Sequence, residues 1–152
     1  MLQAQSDLNE LNYWFQANLL TINSSKTKYV IFSAKNKKID TSLELKINEL
    51  AISKASKEKY LGLTLDSQLT WRPHIEKIIS KLVSLSGILY RNGKCFPKKI
   101  RYLIYNSLVK PHIEYLIEIW GTTAKKYINM IQTKLNKLIK ILFNYNYYTP
   151  TK

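Results

Sequence analysis

The sequence predicts an α+β protein: a small antiparallel sheet with one packed helix, followed by an all-helical bundle. Three observations predict it. Apolar residues alternate in short runs as far as Asp66 and recur at helical spacing after it. Polar turn clusters such as Asn23-Ser24-Ser25 break up the first part, whereas Pro73, Gly93, Pro97 and Gly121 punctuate the second. Charge divides at the same place. Residues 1–66 carry nine basic and seven acidic side chains, and residues 67–152 carry fifteen and three. The lobe boundary is expected between 66 and 73, giving lobes 1–66 and 67–152.

Residues 7–20 fit a helix. Asp7 can act as N-cap with Glu10 in capping-box position, and Leu8, Leu11 and Phe15, widened by Trp14, make an apolar stripe. Asn23-Ser24-Ser25 favours a turn, because these side chains bond to local backbone. Tyr29–Phe32 is β-branched and aromatic enough for a short buried strand. "LELKI" at 43–47 alternates, and Asn48-Glu49 can turn it into a second strand over 50–53. "KYLGLTL" at 59–65 reads as one strand with Leu61, Leu63 and Leu65 on a face, and Gly62 as a bulge or close approach.

The second lobe reads as helices throughout. Thr70 can cap the first, Pro73 suits its first turn, and Asn92-Gly93 ends it. The next starts at Pro97. Pro111 lies inside its pattern, removing one backbone hydrogen bond and crowding the Ser107 carbonyl, so a kink or break is expected there. Gly121 stops the continuation. A last helix over about 124–143 carries Ile128, Ile131, Leu135, Leu138, Ile139 and Leu142.

The net charge is +14 over 152 residues, and between Glu76 and Glu114 stand eight basic residues and no acid. Such asymmetry points to a polyanion partner for the second lobe, against the plainer reading of a well-solvated basic surface. One cysteine, Cys95, excludes an internal disulfide framework. The first residues lack a basic stretch followed by an apolar one, and no run approaches the ~18 apolar residues of a membrane span. An intracellular protein, cytoplasmic or nuclear, is therefore expected.

Catalytic constellations are sparse. His74 and His112 lie on different predicted helices with no paired Cys or carboxylate at ligand spacing, so no metal site is expected. Two-metal phosphoryl transfer needs converging carboxylates, and the three aspartates Asp7, Asp40 and Asp66 are far apart in sequence. The helical lobe offers other chemistry. Lys77, Lys81, Arg91, Lys94, Lys98, Lys99 and Arg101 interleave with Tyr90, Tyr102 and Tyr105. Cations neutralise phosphates and aromatic rings stack on bases.

In order, "LNYWFQANLLTINSSKTKYVIF", "KYLGLTLDSQLTWRPHI", "LYNSLVKPHIEYLIEIWG" and "IQTKLNKLIKIL" resemble reverse transcriptases of non-LTR retrotransposons, the jockey and CR1-like LINE elements. The resemblance runs across nearly the whole chain. It implies a right-hand RNA-directed DNA polymerase, with residues 7–66 as the C-terminal part of the palm and 67–143 as the thumb and its extension. Lys26 matches a lysine placed near the incoming nucleotide, an accessory general acid toward pyrophosphate. Tyr60, Leu61 and Gly62 match the primer-grip hairpin, and the basic helices would track template–primer nucleic acid.

The departures set the functional expectation. The family's Phe/Tyr-Ala-Asp-Asp motif is absent, and the hairpin turn often read Asn-Gly is Asn48-Glu49 here. The chain is expected to be a fragment truncated at both ends and inactive alone. The magnesium implied for the full polymerase would find no site, and no other cofactor is expected. Nucleic acid, as RNA–DNA or RNA template–primer, is the expected partner, with no membrane. Two rivals stand beside this: a domesticated basic helical module binding RNA or DNA, and a protein-interaction module that self-associates or docks through exposed apolar surface, with Trp71 or Trp120 as anchors.

Overall fold

The structure is a computed structural model and describes residues 2–34, 37, 44–92, 95–146 and 148–150. The fold is α+β. The chain divides into two compact units, Met1–Leu69 and Thr70–Lys152.

The first unit opens with α1 (Leu2–Ala17) and continues, among the described residues, through six short strands: β1 (Lys28–Tyr29), β2 (Lys46–Ile47), β3 (Leu50–Ala51), β4 (Ser53–Lys54), β5 (Lys57–Tyr60) and β6 (Leu63–Asp66). They form three two-stranded ladders. β2–β3 and β5–β6 are antiparallel hairpins, and β1–β4 is a parallel pair. Backbone bonds extend each ladder by a residue: Ile52 to Leu45, Ala55 to Tyr29, and Ser67 to Ser56, each with the first residue's N–H donating. Both hairpins turn through two residues of positive φ, Asn48-Glu49 at 48° and 64° and Leu61-Gly62 at 44° and 83°. That geometry matches the right-handed twist of the flanking strands. Ile47, Ile52, Leu63 and Thr64 are buried.

α1 is held by polar contacts. The Gln5 carboxamide pairs with the Lys46 peptide as a neighbouring strand would, donating to its carbonyl and accepting from its N–H at 2.9 Å each. Asn12 donates to Asn48 Oδ1 at 2.7 Å. No described α1 side chain is buried, and Leu11 and Trp14 remain about half exposed.

The second unit contains α2 (Arg72–Asn92), α3 (Lys98–Ile104), a π-helical turn (Tyr105–Val109), α4 (Lys110–Glu114), α5 (Ile117–Trp120) and α6 (Lys125–Phe143). Thr70 Oγ1 accepts the Arg72 N–H at 3.3 Å, capping α2. α2 packs chiefly against α6. Ile75, Ile78, Leu82 and Leu89 on α2, and Ile131, Leu138 and Leu142 on α6, are buried. Their spacings of three, four and seven residues repeat the narrow seam of paired helices. Each contributes about 1.5–3 kcal/mol through burial. Trp71, Val109 and Trp120 are buried in the same unit, with Trp120 Nε1 donating to the Tyr115 carbonyl at 2.9 Å.

Several expectations change. The first helix lies at 2–17, because Asn18, Leu19 and Leu20 turn back onto its last carbonyls. Of the run Tyr29–Phe32 only Tyr29 enters a ladder, and the Ser33 N–H instead reaches the Ser67 carbonyl at 2.9 Å. Residues 59–65 are two strands joined by a turn, so Leu61 sits at a hairpin tip rather than on a face with Leu63. Leu43, Asp40 and Gly93 lie outside the described residues.

The helix does not break at Pro111. The π-helical turn precedes it, and the Lys110 N–H donates to the Tyr105 carbonyl five residues back. This wider turn accommodates a proline that supplies no N–H and would crowd Ser107. The break comes at Tyr115 and Leu116, where Leu116 takes a left-handed conformation at φ 51°. Trp71 and Trp120 are core residues, not exposed anchors.

Gly121 stays right-handed, but its N–H bonds the Ile117 carbonyl at 2.7 Å and a Cβ would collide with that same oxygen. Gly121→Ala is therefore expected to lower stability by about 1–3 kcal/mol, as overpacking does elsewhere. Urea unfolding of the two proteins measures it, and an unchanged midpoint would contradict the close approach.

Candidate nucleic-acid interface

The exposed side of α2 carries a row of cations. Lys77, Lys81 and Arg91 recur at spacings of four and ten residues, with Ser84 and Ile88 between them, and all five are exposed. At 1.5 Å rise per residue, the row runs along about 21 Å of helix. Lys98 and Lys99, also exposed, follow in the first turn of α3.

The acids that bracket this stretch are already engaged. Arg72 Nε bonds Glu76 at 2.8 Å, and Lys110 Nζ lies 3.6 Å from Glu114. Each pair is an exposed i,i+4 contact of little stabilising value. Between the two glutamates the sequence has no acid. Among the described residues no ion pair takes up Lys81, Arg91, Lys98 or Lys99.

Arg101 behaves differently from its neighbours. It is buried, at 9% exposure. Its Nε donates to the Phe96 carbonyl at 2.8 Å and its Nη1 to the Leu142 carbonyl at 2.9 Å. With the Asn144 carboxamide oxygen turned toward it, Nη1 and Nη2 donate there at 2.9 and 3.0 Å. The guanidinium thus caps the C-terminal end of α6, where unsatisfied carbonyls and the helix dipole favour a cation. Lys94 lies outside the described residues.

Two histidines sit beside the row. His74 is buried against the Trp120 ring, with centroids 5.9 Å apart, and its Nδ1 meets no hydrogen-bond partner among the described residues. Burial first, and Lys77 second, hold its pKa below the ordinary value. Burial and then Lys81 do the same for His112. Both groups bind protons more readily once unfolded. Stability is therefore full above the unfolded pKa of about 6.5 and declines as pH falls through that value toward the folded one. The urea midpoint is expected to drop between pH 7.5 and 5.5, and His74→Gln is expected to flatten that slope. Identical pH slopes for the two proteins would contradict it.

In the first unit, Lys26 occupies an ordered turn. Asn23 Oδ1 accepts from Ser25 Oγ at 2.6 Å and from the Lys26 N–H at 3.2 Å. The Asn23 carbonyl takes the Thr27 N–H at 3.0 Å and its hydroxyl at 2.8 Å. This clamp leaves the Lys26 side chain exposed. Tyr60, Leu61 and Gly62 form the tip of the β5–β6 hairpin, with Tyr60 and Leu61 about two-thirds exposed.

Comparison with known proteins bears directly on this arrangement. Over 148 residues, 95% of the chain, it is 28% identical to a probable RNA-directed DNA polymerase from transposon BS of Drosophila melanogaster. The chain is homologous to transposon RNA-directed DNA polymerases. It is also 28% identical over 132 residues to the probable polymerase of the X-element of the same fly. It is 26% identical over 153 residues to the polymerase of mobile element jockey from Drosophila funebris. These relatives belong to non-LTR transposons. The chain spans 14–16% of their length. No family model matches the chain. No solved structure matches it either.

Sequence reasoning left the outer face of α6 out of the interface. Lys125, Lys126, Lys134 and Lys137 are exposed on α6, and Lys126 Nζ lies 4.8 Å from the Tyr127 ring centroid. The signal was present: no acidic residue follows Glu118.

Among the described residues no three His, Cys, Asp or Glu side chains are grouped so as to hold a metal ion. No described helix is long and apolar enough to cross a membrane.

Proposed function

We propose that this chain is the nucleic-acid-holding portion of a non-LTR transposon reverse transcriptase, corresponding to the C-terminal palm and the thumb. The α2–α3 surface follows the phosphates of a template–primer duplex. The observation that carries the reading is the acid-free row that runs from Lys77 through Lys81, Arg91, Lys98 and Lys99, the last four in no ion pair among the described residues. Phosphate contacts of this kind give affinity without sequence preference.

Lys26, held by the Asn23 turn, is the accessory proton donor of this reading, and Tyr60-Leu61-Gly62 is the hairpin that meets the primer end. The magnesium of the full polymerase does not fit the described carboxylates. Asp7 lies on α1 and Asp66 ends β6, and no third ligand joins either. Without converging carboxylates to hold metal, Lys26 has no leaving group to protonate. In this reading the chain binds nucleic acid and does not polymerise by itself. A filter-binding titration with an RNA–DNA duplex at low salt tests the reading. Retention of the duplex supports it, and absence of binding removes it.

A further inference from the structure

We propose that the junction of α3 with the end of α6 is a stacking platform for unpaired nucleotides. The inference rests on the nucleic-acid reading above and adds a ligand class to it: single-stranded nucleic acid.

Three aromatic rings meet at this junction. Tyr102 and Phe143 lie 4.9 Å apart between centroids at 56°, and Phe143 and Tyr145 lie 6.2 Å apart at 33°. The outer two are far from buried, with Tyr102 50% and Tyr145 56% exposed. A cluster of rings placed in contact yet left open to solvent presents π-faces to a ligand.

The platform is braced from beneath. Arg101, the residue before Tyr102, bonds the carbonyl of Leu142, the residue before Phe143, and reaches the Asn144 carboxamide beside Tyr145. One buried guanidinium therefore fixes the segments that carry all three rings. A preformed site spares the ligand the ordering cost of assembling it.

The surroundings select the occupant. Lys98 and Lys99 lie one turn before Tyr102 on α3, and Lys140 lies one turn before Phe143 on α6. Neither α3 nor any residue after Glu118 supplies an acid. Aromatic faces on two helices that carry cations and no acid match bases joined by phosphates. A second copy of the chain would bring the same positive charge against these helices. An intact duplex hides its base faces in its own stack.

The test is fluorescence anisotropy of the full chain with two probes, a short oligothymidylate and a duplex of similar length, at low salt. Tyr102→Ala and Tyr145→Ala are each expected to weaken oligothymidylate binding about tenfold, the worth of a stacked base, and to leave duplex binding within about twofold. Tyr102→Phe keeps the ring and is expected to keep the affinity. Circular dichroism melting checks each fold. Tyr145 lies beyond the last helix, so Tyr145→Ala carries the test should Tyr102→Ala unfold.

Unchanged oligothymidylate affinity in the alanine variants, or equal losses on both probes, would overturn the platform. So would self-association abolished by Tyr145→Ala with oligothymidylate affinity intact. Unmutated chain that holds the duplex but not oligothymidylate overturns the platform and leaves the basic-row reading standing. Binding of neither probe overturns both.

Discussion

Arg101→Ala is expected to lower stability by about 3 kcal/mol, and Arg101→Lys to restore less than half of that loss. The magnitude follows from what the guanidinium does. It satisfies the Phe96 and Leu142 carbonyls, and the Asn144 side chain can accept two more bonds from it. Hydrogen bonds to a charged donor contribute ~1.5–3 kcal/mol each, and bonds sharing one side chain do not add fully. Removing the donor also takes this bond from the buried Leu142 carbonyl near the end of α6. Lysine keeps the charge but loses the planar fork that reaches separate acceptors. Were Arg101 an exposed cation like Lys98 and Lys99, its replacement would change stability by less than about 0.5 kcal/mol. Urea unfolding distinguishes these two outcomes.

The second large effect is on binding. Replacing Lys81, Arg91, Lys98 and Lys99 together by alanine is expected to lower duplex affinity about 10³-fold near 0.1 M salt, with stability little changed. All four side chains are exposed and none is engaged in an ion pair among the described residues. Their removal should therefore cost the fold little and the interface much. The same replacement of Lys28 and Arg72, which are paired with Glu58 and Glu76, is expected to move affinity far less. Comparable losses from the two variants would mean that net charge, not the row, sets binding.

The long helices were legible in the sequence, and the reasons are local. Thr70, Pro73 and Asn92 mark α2, and the buried positions of α2 and α6 recur at three, four and seven residues, so pattern and packing agree. Val83 and Ile88 are apolar yet half exposed, outside the buried seam. The first unit was less legible. Leu61, Leu63 and Leu65 alternate as a strand would, yet a leucine with φ 44° occupies the turn, a conformation that residue type does not announce. The π-helical turn before Pro111 was likewise out of reach. A proline predicts a disturbance, whereas packing decides whether it becomes a break or a wider turn.

The candidate site divides in the same manner. The row from Lys77 to Lys99 was readable because charge and helical spacing are both written in the chain. Arg101 sits in the same cluster and looks alike in sequence, but its side chain is buried against the end of α6. The aromatic junction joins residues 102, 143 and 145, which only the folded helices bring together. Lys26 was placed by resemblance, and the Asn23 clamp around it is local chemistry that an Asn-Ser-Ser turn already suggests.

The measurement that bears most directly on the basic row is the salt dependence of duplex binding, taken in parallel for the unmutated chain and the fourfold alanine variant. Each lost phosphate contact should flatten the plot of log affinity against log salt by about 0.9. The row predicts a difference in slope of roughly 3–4 between the two proteins. Parallel lines would contradict it, because the four cations would then lie outside the contact.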